Sequence, residues 1–291
     1  MTAAIIDGRA AAATIRAVVA TEISRMRPRR PPGLVALLVG DDPASEVYVA
    51  AKLREAEATG IHGRAHKLPV TASHADVAAA IDELNVDPTV HGILLQLPLP
   101  PPLDPLDLLA RIDPAKDVDG LHALNAGKLS VGLPGLAPCT PLGVVLLLRQ
   151  TLGDLTGLHA ALIGASNVVG KPLAALLLAE RCTVTLCHIH TRDPASLVRT
   201  ADIVIAATGT PGLVNQEWVK PGATVIDVGI TRVKDENGKV RIRGDVDFNS
   251  VREVAGAITP VPGGVGPMTI ACLLKNTFDA FRAIESKAAG G

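Results

Sequence analysis

Hydrophobic positions along this chain of 291 residues alternate between two patterns. Short, nearly unbroken apolar runs are typical of strands buried on both faces of a sheet. Longer stretches with apolar residues three or four positions apart predict amphipathic helices. In the first half these patterns predict strands at 33–40, 62–68 and 90–97 and helices at 45–60 and 73–84. The alternation predicts an α/β fold with a mostly parallel sheet.

A second alternating series begins after residue 141, beyond a proline-dense loop at 98–105 that suits neither a helix nor a central strand. Asn237–Gly238 predicts a hairpin turn. The predicted helices of this half are 142–149, 170–180, 195–200 and 268–287, and the predicted strands are 158–163, 183–187, 203–207 and 224–228.

Composition excludes several classes of partner. Only 2% of the residues are aromatic (three Phe, one Trp and one Tyr), although 48% are hydrophobic. Stacking on single-stranded nucleic acid needs several rings, and a membrane-interface belt needs Trp and Tyr, so we expect neither partner. A net charge of −1 gives no general attraction for DNA or anionic lipid.

The four cysteines form no C-x-x-C pair and no Cys/His metal spacing, so we expect no metal site. In a chain of this length they indicate reduced thiols in a cytoplasmic protein. Residues 1–13 lack the apolar core of a secretory signal, and the apolar run at 173–179 is too short to span a bilayer.

A glycine turn at 164–170 lies between a predicted strand and a predicted helix, which is the context of dinucleotide binding. Gly164 would permit the tight turn, and the helix N-terminus would face a phosphate. Ser166 stands at the second glycine position of G-x-G-x-x-G and Gly170 comes one residue late, so an ordinary strand–helix turn is the alternative. The next strand ends at His188, His190 and Arg192, which favour NADP over NAD unless they form a solvated basic loop.

The single tyrosine, Tyr48, precedes Lys52 by four residues on a predicted helix, so both lie on one face. A desolvated lysine can transfer protons near neutral pH, whereas an unengaged surface pair is the alternative. Gln96, inside an apolar strand, needs a hydrogen-bond partner. Asp117 and Asp119 share a tight loop, where turn chemistry is the simpler explanation. The Pro/Gly loop at 258–269 permits close approach to a ligand.

Together these segments resemble the bifunctional methylenetetrahydrofolate dehydrogenase/methenyltetrahydrofolate cyclohydrolase family. The matching stretches cover nearly the whole chain in family order: VGDDPASEVYVAAK, GILLQLPLP, PAKDVDGLHALNAGKL, PCTP, GASNVVGKP, ADIVIAATG, VIDVGI, GDVDF and ITPVPGGVGPMT. The resemblance implies oxidation of 5,10-methylenetetrahydrofolate with NADP, then hydrolysis to 10-formyltetrahydrofolate, within the one-carbon metabolism that serves purine biosynthesis.

The resemblance also implies residue roles. Lys52 matches the family's central catalytic lysine, Gln96 would set its position and protonation, Tyr48 would orient the folate, and Asp119 would bind the pterin. Folate would also contact Leu97, Pro262, Gly263 and Gly264. The cofactor would contact Gly164, Ala165, Ser166, His188, His190, Thr191, Arg192 and Ile230. Ala165 stands where many members have arginine, and Ser or Arg is common where this chain has Ile189, so we expect His190 and Arg192 to hold the 2′-phosphate.

The implied architecture is two α/β domains with a cleft between them. Residues 1–140, completed by a C-terminal helix at 268–291, would form the folate-binding catalytic domain, and residues 141–267 the Rossmann-like NADP domain. A homodimer through the cofactor domain is expected. Two other functions remain open from the residues alone: a Rossmann carbonyl reductase that uses Tyr48 as its acid, and a nucleotide-sensing protein without turnover.

Overall fold

A computed structural model describes residues 2–234 and 238–289 of the chain. These residues form two compact units. One unit contains residues 13–139 and 270–289, and the other contains residues 2–12 and 140–269.

Strands and helices alternate through both units, as the apolar pattern predicts. The strands are β1 (Ala4–Ile5), β2 (Gly33–Val39), β3 (His62–Leu68), β4 (Gly92–Leu95), β5 (His159–Ile163), β6 (Thr183–Cys187), β7 (Ile203–Ala206), β8 (Thr224–Asp227), β9 (Thr231–Lys234), β10 (Val240–Arg243) and β11 (Ala257–Ile258). The helices are α1 (Gly8–Met26), α2 (Pro43–Ala58), α3 (His74–Val86), α4 (Pro105–Arg111), α5 (Ala123–Ser130), α6 (Cys139–Leu152), α7 (Gly170–Ala179), α8 (Pro194–Val198), α9 (Phe248–Arg252) and α10 (Val265–Ala289).

The first unit is built on a parallel sheet with β2 in the centre, between β3 and β4. All residues of β2 are buried, which explains its unbroken apolar sequence. Val77, Ile81 and Leu84 of α3 pack in one core cluster with apolar side chains of β2 and β4. This packing fixes the carboxyl ends of three strands side by side, where the polar residues after β4 lie.

The second unit is built on a six-stranded parallel sheet in the order β1-β11-β8-β7-β5-β6. The chain passes from β5 to β6 on one side and then returns to place β7 on the other side of β5. The point between β5 and β7 is therefore a topological switch point, where open α/β sheets bind ligands at the carboxyl ends of their strands. This arrangement confirms the predicted Rossmann-like fold.

The N-terminal segment differs from the predicted domain division, which assigned residues 1–140 to one domain. Residues 2–12 belong instead to the unit with residues 140–269. The physical reason is strand pairing, because β1 lies parallel to β11 with Ala4 opposite Ala257 and Ile5 opposite Ile258. A two-residue strand carries too little sequence pattern to predict such a pairing.

The hydrophobic pattern also did not predict helix α1. Its sequence is rich in alanine on every side, so buried and exposed positions differ little in hydrophobicity. Ala11, Ala12, Val19 and Ile23 are nevertheless buried, which shows that one face is packed.

The predicted hairpin corresponds to β9 and β10, which pair antiparallel, with Thr231 opposite Arg243. Gly238 has a left-handed φ of 75°, as a tight turn requires. Asn237, the other predicted turn residue, lies outside the described residues. No helix within residues 2–234 and 238–289 combines the length and the apolar character needed to cross a bilayer.

Candidate active site

Helix α2 carries Tyr48 and Lys52 one turn apart. The helix begins directly after β2 because Asp42 caps it, with the Asp42 side chain accepting a hydrogen bond from the Ser45 amide at 2.8 Å, and because Pro43 suits the first turn. The Tyr48 side chain is 40% exposed, so it remains available to a ligand. Lys52 is half-buried.

Lys52 and Gln96 form a direct hydrogen bond in which Lys52 Nζ donates to Gln96 Oε1 at 2.9 Å. Gln96 Nε2 in turn donates to the carbonyl oxygen of Leu97 at 2.6 Å. The amide is thereby oriented with its oxygen toward the lysine. Gln96 follows the end of β4, so the parallel sheet brings it to α2, and the partner required by a glutamine in an apolar strand is Lys52.

The electrostatics of this pair favour proton transfer. Burial lowers the pKa of the Lys52 ammonium, and the nearby Asp119 carboxylate opposes that decrease. Burial raises the pKa of the Asp119 carboxyl, and Lys52 opposes that increase. A lysine whose pKa is lowered toward neutrality can accept a proton and return it during one reaction.

Asp117 and Asp119 have different surroundings although they share one loop. Asp117 is buried, and its carboxylate accepts hydrogen bonds from the His122 amide and from Asn125 Nδ2, both at 2.8 Å. It therefore stabilises the turn, as the simpler interpretation predicts. Asp119 is partly exposed and interacts with Lys52, so the loop presents one carboxylate to the candidate site.

In the other unit, the glycine turn lies at the switch point of the six-stranded sheet. Gly164 has a left-handed φ of 114°, and a Cβ placed on it would lie 2.1 Å from the carbonyl oxygen of Ala207. A Cβ on Gly170 would lie 1.9 Å from the carbonyl oxygen of Gly164. Gly164 is thus required for the segments that follow β5 and β7 to approach each other, and Gly170 is required for the start of α7 to pack against the glycine turn.

The helix after this turn is open to an anion. No side chain caps the N-terminus of α7, and the hydroxyl of Ser166 accepts a hydrogen bond from the Val169 amide at 3.1 Å within the turn. Ala165 is half-buried and Ser166 is exposed. In the first turn of α7 the Lys171 amide donates to the carbonyl oxygen of Ser166 at 3.0 Å and Pro172 has no N–H, so the Gly170 amide and the helix dipole are the features that can face a phosphate.

The loop after β6 is held by its own side chains. The His188 amide donates to Thr191 Oγ1 at 2.9 Å, and the His190 amide donates to His188 Nδ1 at 3.1 Å. His188, His190 and Arg192 are exposed on this short loop. The structure therefore gathers the three predicted basic groups at the end of one strand.

The remaining predicted binding residues divide between the units. Leu97 lies beside Gln96, whereas Pro262, Gly263, Gly264 and Ile230 belong to the unit with residues 140–269. Gly264 is tightly packed, since a Cβ on it would lie 2.6 Å from Thr259 Cβ. Gly263 has a left-handed φ of 117°, and Ile230 is 49% exposed. The described geometry therefore leaves the Pro/Gly loop and Ile230 in the same unit as the glycine turn.

Comparison with known proteins decides the family. Residues 6–119 match the catalytic domain of tetrahydrofolate dehydrogenase/cyclohydrolase, and residues 138–285 match the NAD(P)-binding domain of the same family. The chain belongs to the tetrahydrofolate dehydrogenase/cyclohydrolase family. It is accordingly a bifunctional enzyme of one-carbon folate interconversion, and the two alternative functions considered from the residues alone are set aside.

Relatives of this family resemble the chain over almost its whole length. A protein described as bifunctional protein FolD from Gluconacetobacter diazotrophicus is 56% identical over 285 residues, which are 97% of this chain and 92% of the relative. The crystal structure of the bifunctional enzyme FolD from Campylobacter jejuni is 44% identical, with a TM-score of 0.92, and the match covers 96% of this chain and 98% of that one. The Trypanosoma brucei enzyme, described as complexed with NADP cofactor and inhibitor, is 40% identical, with a TM-score of 0.92 and coverage of 97% and 98%.

Sequence reasoning missed two further buried side chains, Cys139, which interacts electrostatically with Lys52 and Asp119, and Asn276, which contacts Cys139. Burial raises the pKa of the Cys139 thiol well above its ordinary value, and the Asp119 carboxylate adds to the increase. Asn276 of α10 donates through Nδ2 to the carbonyl oxygens of Val118 at 2.9 Å and Ala137 at 2.8 Å. A buried amide in an apolar helix was the available signal for Asn276, since such a group must find partners.

Proposed function

We propose that Lys52 is the acid–base group of the hydrolytic step. Neutral Lys52 takes a proton from the water that attacks the methenyl carbon, and the resulting ammonium gives a proton to the ring nitrogen as the carbon–nitrogen bond breaks. The product is 10-formyltetrahydrofolate, and one proton is released overall. The observation that carries this role is the Lys52–Gln96 hydrogen bond at 2.9 Å beside Asp119, in surroundings that lower the lysine pKa.

Gln96 acts through Lys52. Because its amide nitrogen is engaged by Leu97, its oxygen stays directed at the lysine and holds Nζ in place. Asp119 binds the pterin, where a carboxylate can accept two N–H hydrogen bonds. Tyr48, exposed one turn before Lys52, lies against the folate and orients it.

We propose that residues 2–12 and 140–269 hold the dinucleotide at the glycine turn, with folate chemistry carried by the other unit. Gly164, Ala165 and Ser166 would line the pyrophosphate, and the α7 N-terminus would face it. Bound NADP would accept the hydride from the methylene carbon. The protein supplies alignment for that step, to which Pro262, Gly263, Gly264, Leu97 and Ile230 would contribute.

We propose that NADP is preferred over NAD. The exposed Arg192 provides the positive charge that a 2′-phosphate needs, and the exposed His188 and His190, on the loop that Thr191 fixes, can add N–H donors beside it. Rates with NAD and NADP in the wild type and in an Arg192→Ala variant test the preference. The variant should lose activity with NADP and keep its activity with NAD. A clear preference of the wild type for NAD would overturn the proposal.

We propose a cytoplasmic homodimer that supplies 10-formyltetrahydrofolate to purine biosynthesis. Within the described residues all four cysteines are free and buried, which suits a reducing compartment. Val240 and Ile242 of the β9–β10 ribbon are exposed, and an isolated two-stranded ribbon is marginally stable without further packing. Analytical ultracentrifugation would test the dimer, and a monomer at micromolar concentration would contradict it.

One assay tests the assignment as a whole. Enzyme is mixed with methylenetetrahydrofolate and NADP, and methenyl absorbance is followed. If no methenyl signal forms with NADP and none forms with NAD, the assigned function is wrong. A Lys52→Met variant should lose hydrolysis of added methenyltetrahydrofolate by about 100-fold or more. Lys220→Met, which removes an exposed lysine paired with Asp202 in the other unit, is the control and should hydrolyse normally. Full hydrolysis by Lys52→Met would show that the proton passes elsewhere.

A further inference from the structure

Two buried carboxylates lie side by side behind the switch point and take no part in the chemistry described so far. Asp227 ends β8, and Asp245 follows β10. Both side chains are buried. The Asp245 amide donates to Asp227 Oδ1 at 2.9 Å, so the two residues are in direct contact. Burying two carboxyl groups together costs free energy unless hydrogen bonds compensate for the lost hydration.

Asp227 is held by three backbone amides. Its carboxylate accepts hydrogen bonds from the amides of Gly229 at 2.9 Å, Asp245 at 2.9 Å and Val246 at 3.0 Å. Burial raises the pKa of Asp227 to about 6, and the hydrogen bonds from the three amides oppose that increase. Asp227 therefore fixes the backbone at Asp245.

Asp245 is directed at the loop that follows β7. Its Oδ2 accepts hydrogen bonds from the amides of Thr208 at 2.5 Å and Gly209 at 3.0 Å. Its Oδ1 is buried and has no hydrogen-bond partner among the described residues. The hydrogen bonds of the Asp245 side chain are therefore directed at the two amides of the segment after β7.

The loop held by Asp245 meets the glycine turn. The Ala207 amide donates to the carbonyl oxygen of Ile163 at 2.8 Å, and the Ala207 carbonyl oxygen is the group that a Cβ on Gly164 would strike. Farther along, the Thr231 hydroxyl donates to the carbonyl oxygen of Gly209 at 3.3 Å. Asp245 thus connects the segment after β7 with the glycine turn on one side and with the neighbour of Ile230 on the other.

We propose that Asp245, supported by Asp227, is a positioning residue for dinucleotide binding, because it holds the Thr208–Gly209 amides beside the glycine turn at the switch point. The proposal rests on the dinucleotide site proposed above. Without this carboxylate, the loop after β7 would lose both of its amide anchors and could enter the space in which the cofactor lies between the segments after β5 and β7.

The test measures NADPH affinity by fluorescence titration in the full-length enzyme. Asp245→Ala should raise the Kd for NADPH about tenfold or more, since it removes two charge-assisted hydrogen bonds. Asp245→Asn keeps an acceptor oxygen and should recover most of that affinity. Asp247→Ala is the matched control, because Asp247 is exposed two residues away and makes no cap hydrogen bond, and its Kd should not change.

A second measurement separates positioning from general damage. Hydrolysis of added methenyltetrahydrofolate needs no dinucleotide, so Asp245→Ala should reduce it far less than it reduces NADPH affinity. If Asp245→Ala reduces the hydrolysis rate and NADPH binding equally, in proportion to the fraction of unfolded protein, the role of Asp245 is merely structural and the proposal is overturned. If Asp245→Ala does not fold, Thr231→Ala decides, because it removes the other side-chain hydrogen bond to Gly209. Weakened NADPH affinity in the folded Thr231→Ala variant would support the proposal, and unchanged affinity would overturn it.

Gly164→Ala distinguishes failure of this inference from failure of the site itself. If the wild type binds no NADPH, or if Gly164→Ala binds as well as the wild type, the proposed dinucleotide site is wrong. If Gly164→Ala weakens binding while Asp245→Ala stays within twofold of the wild type, the site stands and the role of Asp245 is wrong.

Discussion

The Lys52–Gln96 contact offers a direct test of how proton transfer is controlled. Gln96→Glu changes only one atom group but places a carboxylate where the amide oxygen lies, 2.9 Å from Lys52 Nζ. The added negative charge favours the ammonium form, so the pKa of Lys52 should increase. The neutral lysine that accepts the proton from water then becomes scarce at neutral pH.

The magnitude follows from the distance. Two unit charges 2.9 Å apart attract each other by about 6 kcal/mol at an effective dielectric constant of ~20, which is an upper limit. Opposite charges at such distances usually shift a pKa by about 1–3 units. Below its pKa, the neutral fraction of Lys52 should therefore fall by about 10-fold to 1,000-fold, and the rising limb of the pH–rate profile should move up by the same number of units.

The assay is loss of methenyl absorbance from about pH 6 to about pH 10, with the uncatalysed reaction subtracted at each pH. Gln150→Glu makes the same chemical change on an exposed position of α6 and should leave the profile in place. Gln96→Met removes both hydrogen bonds without adding charge, so it should lower the rate without the upward shift. If the rising limb of the pH–rate profile lies at the same pH in Gln96→Glu as in the wild type, that limb does not report the titration of Lys52.

Three further predictions concern the free energy of unfolding, each measured by urea unfolding. Gly164→Ala should cost about 2–5 kcal/mol, because the added Cβ would lie 2.1 Å from a carbonyl oxygen and because the left-handed φ is strained for alanine. Gly157→Ala, with φ 80° and open space around the added Cβ, should cost only about 1–2 kcal/mol, and equal costs for the two variants would contradict the packing argument. Lys116→Met should cost about 2–4 kcal/mol, since buried Nζ donates to three carbonyl oxygens at the end of α3, and a loss under 1 kcal/mol would show that these bonds contribute little. Burial lowers the pKa of His91, whose Nδ1 accepts from the Gly33 amide, so the unfolded chain binds more protons and stability should fall as pH drops below about 6.5. His91→Leu should lack that part of the acid sensitivity, and an unchanged slope would contradict its origin in His91.

Local sequence predicts strands that are buried throughout or that have a turn at each end. The central strand β2 is buried throughout, so its apolar run is enough to identify it. Strand β3 has its predicted bounds because one turn precedes it at 59–60 and another follows it at 70–71. Helix α1 and the two-residue strands β1 and β11 depend on distant partners, and their own sequences carry almost no periodic signal.

The same distinction applies to the candidate site. Tyr48 and Lys52 lie on one helix, so their spacing predicts that they share a face. That Gln96 meets Lys52 depends on the pairing of β2 with β4, which local sequence does not determine. Asp227 and Asp245 come together from different strands, and the local signal is confined to Asp227, which ends a buried strand.

The pairing of β1 with β11 has a consequence for how the protein is made. Ala4 and Ala257 are about 250 residues apart, so at ~5–20 residues per second the ribosome needs about 12–50 s to deliver the partner of the first strand. The six-stranded sheet gains its edge only after nearly everything else has been synthesised. Because β1 has only two residues, it presents little unpaired backbone to other chains during that wait.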